Sequence, residues 1–307
     1  MKIRFIGDAI RFLRATATNQ IAGFAPGFYV KLTKQTGRGK SDAESSGGMS
    51  EYFSRCFEDY FRVMGVPDDA VRRWLHGKVL LEYGPGDLPG VAILMIAHGA
   101  DKVYCVDRFP MLALSDKNIA AIENLLERMG PAERQRAGEC FRGHGQPRSG
   151  FDARRIEYLI RDNGLSGLQS EVDLVLSRAV LEHVNDLGAT FADMERALRP
   201  AATAVHQVDL KSHGLHRENP LDFLSWPRWM WSCMFSNKGS PNRWRVDRYR
   251  QVLAATCLRI ISLKPTLRAD PRDISSVRPH LARPFRELSD EDLSWLGFWL
   301  VCEKPGK

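Results

Sequence analysis

Two stretches of the chain hold the residue types that chemistry needs. In the first, an apolar run from Leu80 delivers Glu82 and Tyr83 into Gly84-Pro85-Gly86. Glycines at such a point let the backbone turn sharply and leave no Cβ between the chain and a ligand. Counted from Gly86, 21 residues pass before Asp107 closes the next apolar run. A carboxylate placed there can accept both hydroxyls of an adenosine ribose. In the second stretch, Val172 to Val184, an apolar run leads to Ser177, Arg178 and then Glu182-His183. Imidazole titrates near neutral pH, so His183 can take the proton of an acceptor hydroxyl as a general base.

Strands and helices must position these groups. Short apolar runs at 78–83, 102–106, 155–159, 172–177, 203–210, 258–263 and 298–302 read as strands. Helical patterns lie between them, at 50–74, 91–97, 119–129 and 187–198. Strand alternating with helix argues a Rossmann-like, doubly wound α/β fold, a mostly parallel seven-stranded sheet with helices on both faces. The polar, basic stretch 131–155 is assigned no element. Residues 1–75 form an N-terminal amphipathic and helical segment, and 76–307 the cofactor-binding domain, with an insertion at about 211–245. In the N-terminal segment Ile3, Ile6, Ile10 and Leu13 recur at helical spacing among Lys2, Arg4, Arg11 and Arg14. Such a helix meets lipid, covers the active site, or packs on the domain. Residues 37–48 read as a polar loop.

The E-x-G-x-G of Glu82–Gly86, Asp107 and the run from Val172 to Val184 together resemble the class I S-adenosyl-L-methionine (SAM)-dependent methyltransferases, type 11 in particular. The resemblance covers roughly residues 78–210. It implies that Gly84 and Gly86, with Tyr83 and Pro85 beside them, hold the methionine and ribose portion of SAM. Glu82 supports the loop or meets the amino group through water, and Asp107 binds the ribose. Arg108 and Phe109 flank the adenine, with Asp162 the candidate at its edge. Ser177 and Arg178 line the methionine side and the acceptor mouth. Where relatives carry a third glycine this chain has Leu88, and Gly90 is the candidate substitute. The nicotinamide fingerprint G-x-G-x-x-G fails, because its last position falls on Pro89.

The same resemblance bears on the acceptor side. In SAM enzymes the loop after the fifth strand approaches the acceptor, which makes Asp209, His213 and His216 candidates, His213 first. The segment Val180 to Val184 is similar to ubiquinone-pathway O-methyltransferases, in which an earlier Glu joins the Glu-His pair on a metal. The matching position here is Ala179. Glu182 and His183 alone offer too few oxygen ligands for magnesium, so no metal is expected. Trp226, Trp229, Trp231, Phe235 and Trp244 alternate with Arg228, Lys238, Arg243 and Arg245. They can stack on sugars, sit at a membrane interface, or form a small core of their own. The chain also looks similar to methyltransferases of bacterial polysaccharide and glycolipid pathways.

Composition narrows the partners. The net charge of +7 permits an anionic partner. Six cysteines without a CxxC pair indicate neither a disulfide framework nor a zinc site, which favours the cytoplasm. No run approaches the roughly 18 apolar residues of a membrane span, so membrane contact is expected to be peripheral at most. The leading expectation is O-methylation of a small-molecule or glycan acceptor, saccharide or lipid-linked. RNA methylation and a non-catalytic SAM-fold binding module are the alternatives, with nucleic acid disfavoured for want of a binding appendage. The oligomeric state is left open.

Overall fold

The computed structural model describes residues 2–34, 36–37, 45–213, 215, 218–238 and 241–306, with side chains described from residue 8 onward. Residues 38–44 of the expected polar loop, His216, and the Ile3 and Ile6 side chains lie outside the described residues.

Two helices open the chain, α1 (Lys2–Phe24) and α2 (Pro26–Thr33). The helical pattern expected at 50–74 is two helices, α3 (Ser46–Met64) and α4 (Val71–Leu75). Gly65, in the left-handed region at φ 74°, ends α3, because only glycine adopts that conformation without a Cβ penalty. The alternating region follows: β1 (Val79–Tyr83), α5 (Gly90–Ala97), β2 (Lys102–Asp107) and α6 (Asp116–Glu127). The stretch without an expected element contains α7 (Pro131–Gly138), which precedes β3 (Ile156–Ile160) and β4 (Val172–Arg178). Then come α8 (Leu187–Ala197), β5 (Leu198–Asp209), α9 (Arg228–Phe235) and α10 (Val246–Leu253). The chain closes with β6 (Arg259–Arg268), α11 (Pro271–Val277), α12 (Asp290–Ser294) and β7 (Trp295–Glu303).

All seven expected strands join one sheet in the order β3-β2-β1-β4-β5-β7-β6. The first five are parallel, and β7 runs antiparallel to both β5 and β6. Side-chain alternation along the strands builds a core on each face. Leu80, Val103, Cys105, Leu174 and Leu176 pack with α3, α5 and α6, while Leu81, Tyr83, Val175 and Ala204 pack with α8 and α10. α5 is buried along its whole length, as its all-apolar sequence requires. Strand order reverses between β1 and β4, so a crevice opens beyond their carboxyl ends, the place where ligands bind in such sheets. Among the described residues no helix is long and apolar enough to cross a membrane.

The insertion and the segment between β6 and β7 share a third core. Phe223, Trp231 and Phe235 pack there with Ile274, Leu281 and Leu296. Of the basic residues interleaved with these aromatics, Arg243 and Arg245 are buried, Lys238 is half-buried and Arg228 is exposed. The Arg243 guanidinium lies 4.5 Å from the Trp231 ring centre and donates to the Trp226 carbonyl at 2.6 Å. Arg245 is fully buried, donating to the carbonyls of Leu210 and Trp295. Of the insertion's tryptophans, Trp229 stands out as exposed. α1 is pinned to this unit by Asn19, whose amide donates to the Cys233 carbonyl at 2.9 Å and accepts from the Asn237 N–H at 2.8 Å. The expected stripe does not turn inward: Ile10 and Leu13 are 62% and 66% exposed.

Candidate functional site

The residues of both chemical stretches meet at the carboxyl end of the sheet. β1 ends in the glycine turn, where Gly84 and Gly86 have φ of 65° and 74°. A Cβ on Gly84 would stand 2.4 Å from Cγ2 of Val180, so the turn and the loop after β4 touch. A Cβ on Gly86 would stand 2.4 Å from the Thr36 carbonyl oxygen, and that oxygen accepts a hydrogen bond from the Asp87 N–H at 3.0 Å. Backbone from the N-terminal segment thus lies directly on the turn. Tyr158 of β3 donates its hydroxyl to the Gly86 carbonyl at 2.8 Å and holds the turn from another side. Neither contact has a signature in the sequence, since both join residues far apart in the chain.

Asp107, at the end of β2, is buried. Its Oδ1 accepts from the Phe109 N–H at 3.0 Å, while Oδ2 is buried without a partner. Burial pushes its carboxyl up to about 6, against the backbone N–H groups of Phe109, Arg108 and Gly86 that favour the anion. A buried carboxylate oxygen with no donor is costly unless a ligand supplies one. That fits a ribose hydroxyl. Glu82 is buried on the neighbouring strand, and loss of solvent raises its carboxyl to about 8. The Cys105 thiol lies 3.9 Å from its Oε2.

Phe109 is covered. Its ring centre lies 5.7 Å from that of Tyr29 in α2, with Ala22 of α1 in the same cluster. Arg108 reaches across the site, donating to the Asn237 carbonyl at 3.3 Å and to Asn185 Oδ1 at 3.4 Å. Burial lowers its hold on its proton, and the charges of Asp107 and Asp162 oppose that. Asp162 lies in the exposed turn after β3. The N-terminal helices and the insertion therefore close over the residues assigned to the adenine.

Other expected residues have internal partners. Tyr83 is buried with its hydroxyl on the Asp193 carboxylate of α8. Pro85 is buried in the turn. The Ser177 hydroxyl lies 2.8 Å from His206 Nδ1, both groups fully buried. Arg178 donates to Asp59 of α3 at 2.9 Å and lies over the rings of Tyr52 and Trp299. Gly90 opens α5, where a Cβ would strike the Phe53 ring at 2.3 Å, so its place is explained by helix packing.

On the acceptor side, the loops after β4 and β5 face each other because those strands are neighbours. Ala179 adopts a left-handed φ of 53° and swings Val180 over the glycine turn. Glu182 is buried, and its Oε1 accepts from the Asp209 N–H at 3.3 Å. The rings of His183 and His213 lie 4.9 Å apart, and His213 Nε2 is 4.0 Å from Glu182 Oε1. Burial raises the Glu182 carboxyl well above its ordinary value and lowers His213 below its own. His213 was expected beside the acceptor; its contact with the Glu182-His183 pair, across 30 residues of chain, was not.

A sequence profile described as a methyltransferase domain matches residues 58–263. No curated protein matches the chain. Among solved structures, a SAM-dependent methyltransferase of Mesorhizobium loti is 17% identical, covering 76% of this chain and 96% of its own at a TM-score of 0.40. One from Listeria monocytogenes is 13% identical, with 82% and 97% covered and a TM-score of 0.43. Phosphoethanolamine N-methyltransferase 2 of Haemonchus contortus, solved with SAM, is 14% identical, with 82% and 57% covered and a TM-score of 0.43.

Proposed function

The chain belongs to the methyltransferase-domain family and is a SAM-dependent enzyme, and from that premise we propose that it methylates a hydroxyl of a polar acceptor, a saccharide or lipid-linked glycan, presented at a membrane surface. The observation that carries this reading is an apolar cleft of about 400 Å³ between α1 and the insertion. Phe12, Leu215, Trp226, Pro227 and Met230 line it, with Asp8 and Asp222 at its polar margin. Leu215 stands two residues from His213 in the loop that faces the acceptor. A cleft of this size and lining suits the apolar part of a ligand whose polar part lies toward the imidazoles. Ile10, Leu13, Phe24, Phe28, Leu32 and Trp229 are exposed on α1, α2 and α9, with Arg11, Arg14 and Lys31 exposed on the same helices. Apolar side chains among cations suit an anionic headgroup layer.

When bound, SAM supplies a methyl group that its sulfonium makes electrophilic. In this reading Asp107 Oδ2 accepts from a ribose hydroxyl, and Gly84 and Gly86 keep Cβ atoms out of the cofactor's path. Arg108 and Phe109 flank the adenine with Asp162 at its edge, while Glu82 supports the turn. An imidazole of the His183–His213 pair takes the acceptor proton. His213 suits that task because its lowered proton affinity leaves it neutral at pH 7 with a lone pair available. Alignment of the two reactants supplies up to roughly 7–11 kcal/mol of the barrier reduction.

The test is transfer of radiolabel from SAM by the purified chain into fractions of a bacterial membrane extract. Label in a glycan or glycolipid fraction, lost in His213→Ala, is the expected result. Label in RNA alone, or in no glycan fraction, overturns the acceptor class. Sedimentation with anionic vesicles, reduced by Phe24→Asp and Trp229→Asp, is the expected result for the membrane placement.

A further inference from the structure

We propose that Glu182, His183 and His213 form a binding site for a divalent transition-metal ion beside the acceptor mouth. The sequence supplies two donors in one turn and argues against a metal for want of a third. The fold supplies the third from another loop. Each residue offers one ligand atom, and these atoms all lie within 4.8 Å of one another.

The donors are held from separate elements. The chain leaves β4 through the left-handed Ala179 and turns back at His183, whose N–H donates to the Val180 carbonyl at 2.8 Å. The Glu182 carbonyl accepts from the Asn242 N–H at 2.6 Å, which fixes the turn to the insertion. His213 follows β5 and is itself left-handed at φ 51°. Non-glycine residues in that region often mark places where function has set the backbone.

A second observation points to a ligand. Glu182 is 1% exposed, and its Oε2 is buried without a hydrogen-bond partner. A buried carboxylate oxygen in that state calls for a proton or a cation. The nearby cation Lys211 is engaged with Asp209, its ammonium 3.0 Å from Oδ2.

Donor chemistry selects the ion. Two imidazoles and one carboxylate suit zinc, manganese or iron in the divalent state, whereas magnesium prefers an all-oxygen shell. Metal–ligand bonds of about 2.0–2.2 Å bring such donors to roughly 3–3.5 Å from one another. The donors, within 4.8 Å of one another, would draw together by up to about 1.3–1.8 Å, a movement that falls first to His213 as the most exposed of the three. Three protein ligands would leave positions open for an acceptor oxygen; with both imidazoles on the ion that oxygen's proton would pass to solvent, so the imidazole base proposed above belongs to the metal-free protein. The site rests on the donor set and on the unpartnered Glu182 oxygen, so it stands if the acceptor belongs to another class.

The experiment is calorimetric titration of chelator-treated full-length protein with zinc ion, in a background of Cys233→Ser and Cys257→Ser because those two thiols are exposed. One equivalent is expected to bind, with affinity reduced at least tenfold by Glu182→Gln and by His213→Ala. Circular dichroism and melting confirm that each variant folds. Cobalt ion, added in parallel, is expected to develop visible absorption bands that the same variants lose. Absence of binding, or binding unchanged in both variants, overturns the site. Tighter binding of magnesium than of zinc overturns the choice of ion. None of these readouts needs SAM or an acceptor, so a negative result leaves methyl transfer standing with an imidazole as its base.

Discussion

Tyr29 lies against Phe109 with ring centres 5.7 Å apart, and through that contact the N-terminal helices meet the residue two positions after Asp107, the carboxylate proposed to bind the ribose. Aromatic pairs contribute about 0.5–1.5 kcal/mol beyond burial. Tyr29→Ala is therefore expected to weaken SAM binding by up to about tenfold. Hydrogen exchange should quicken in α1 and α2 while the sheet stays protected. Unchanged affinity would mean that these helices cover Phe109 without touching the cofactor.

Asp107 gives the sharpest test of the cofactor site. In Asp107→Asn one oxygen still accepts from the Phe109 N–H, but the other becomes an amide nitrogen that cannot accept from a ribose hydroxyl. Hydrogen bonds to charged groups contribute about 1.5–3 kcal/mol, a loss of roughly 10- to 150-fold in affinity. Calorimetry with SAM and with its demethylated product checks this. A variant that binds as well as the wild type removes Asp107 from the site.

Glu82 sets a pH dependence with a definite sign. In the folded, ligand-free chain its carboxyl titrates at about 8, against an ordinary value of 4.5. The native state therefore holds more protons than the unfolded state between those limits. Stability is lost as pH rises through that window, at no more than about 1.4 kcal/mol per pH unit. Asp107 adds the same sign between 3.8 and about 6. Melting of ligand-free Glu82→Gln, which carries no charge there, should fall less between pH 5 and pH 8 than that of the wild type. Parallel curves would show that Glu82 ionises freely in the fold.

Gly84→Ala combines two costs. A Cβ there is strained at φ 65° and meets Val180 at 2.4 Å. Together these are expected to destabilise the protein by about 2–4 kcal/mol in urea unfolding. Val180→Ala in the same chain should relieve the packing part and leave about 1–2 kcal/mol from the backbone.

Local pattern made much of this protein legible, and long-range contact hid the rest. Apolar runs marked all seven strands, most plainly β1, β2 and β4 in the middle of the parallel part, where burial on both faces demands them. The turn at Gly84 and the acid at Asp107 were legible because strand, turn and helix follow one another in sequence. The seating of Thr36 on Gly86 was not, nor was the meeting of His213 with Glu182, since neither pair leaves a mark at fixed spacing. In sequence the aromatic and basic residues of the insertion are open to three readings, a surface for sugars, a membrane interface or a small core of their own. In the fold, Trp231 and Arg243 face each other inside a core. Periodicity cannot separate those outcomes, because a guanidinium stacked on a buried indole and one stacked on a ligand use the same residues.

The placement of β7 between β5 and β6 has a consequence for the growing chain. During synthesis β1 to β5 leave the ribosome in an order that lets each parallel pair form as it appears, and domains assemble from their N-terminal side. β6 emerges with no strand to join, because its partner in the sheet has yet to be made. β5 waits with one edge bare for the same reason. An open edge of this kind invites pairing with other chains. A nascent chain that stalls after Arg268 would be complete in its cofactor half, yet sticky at β5. Trp295–Glu303 therefore acts as a closing wedge, covering the edge of β5 and giving β6 its partner in one step.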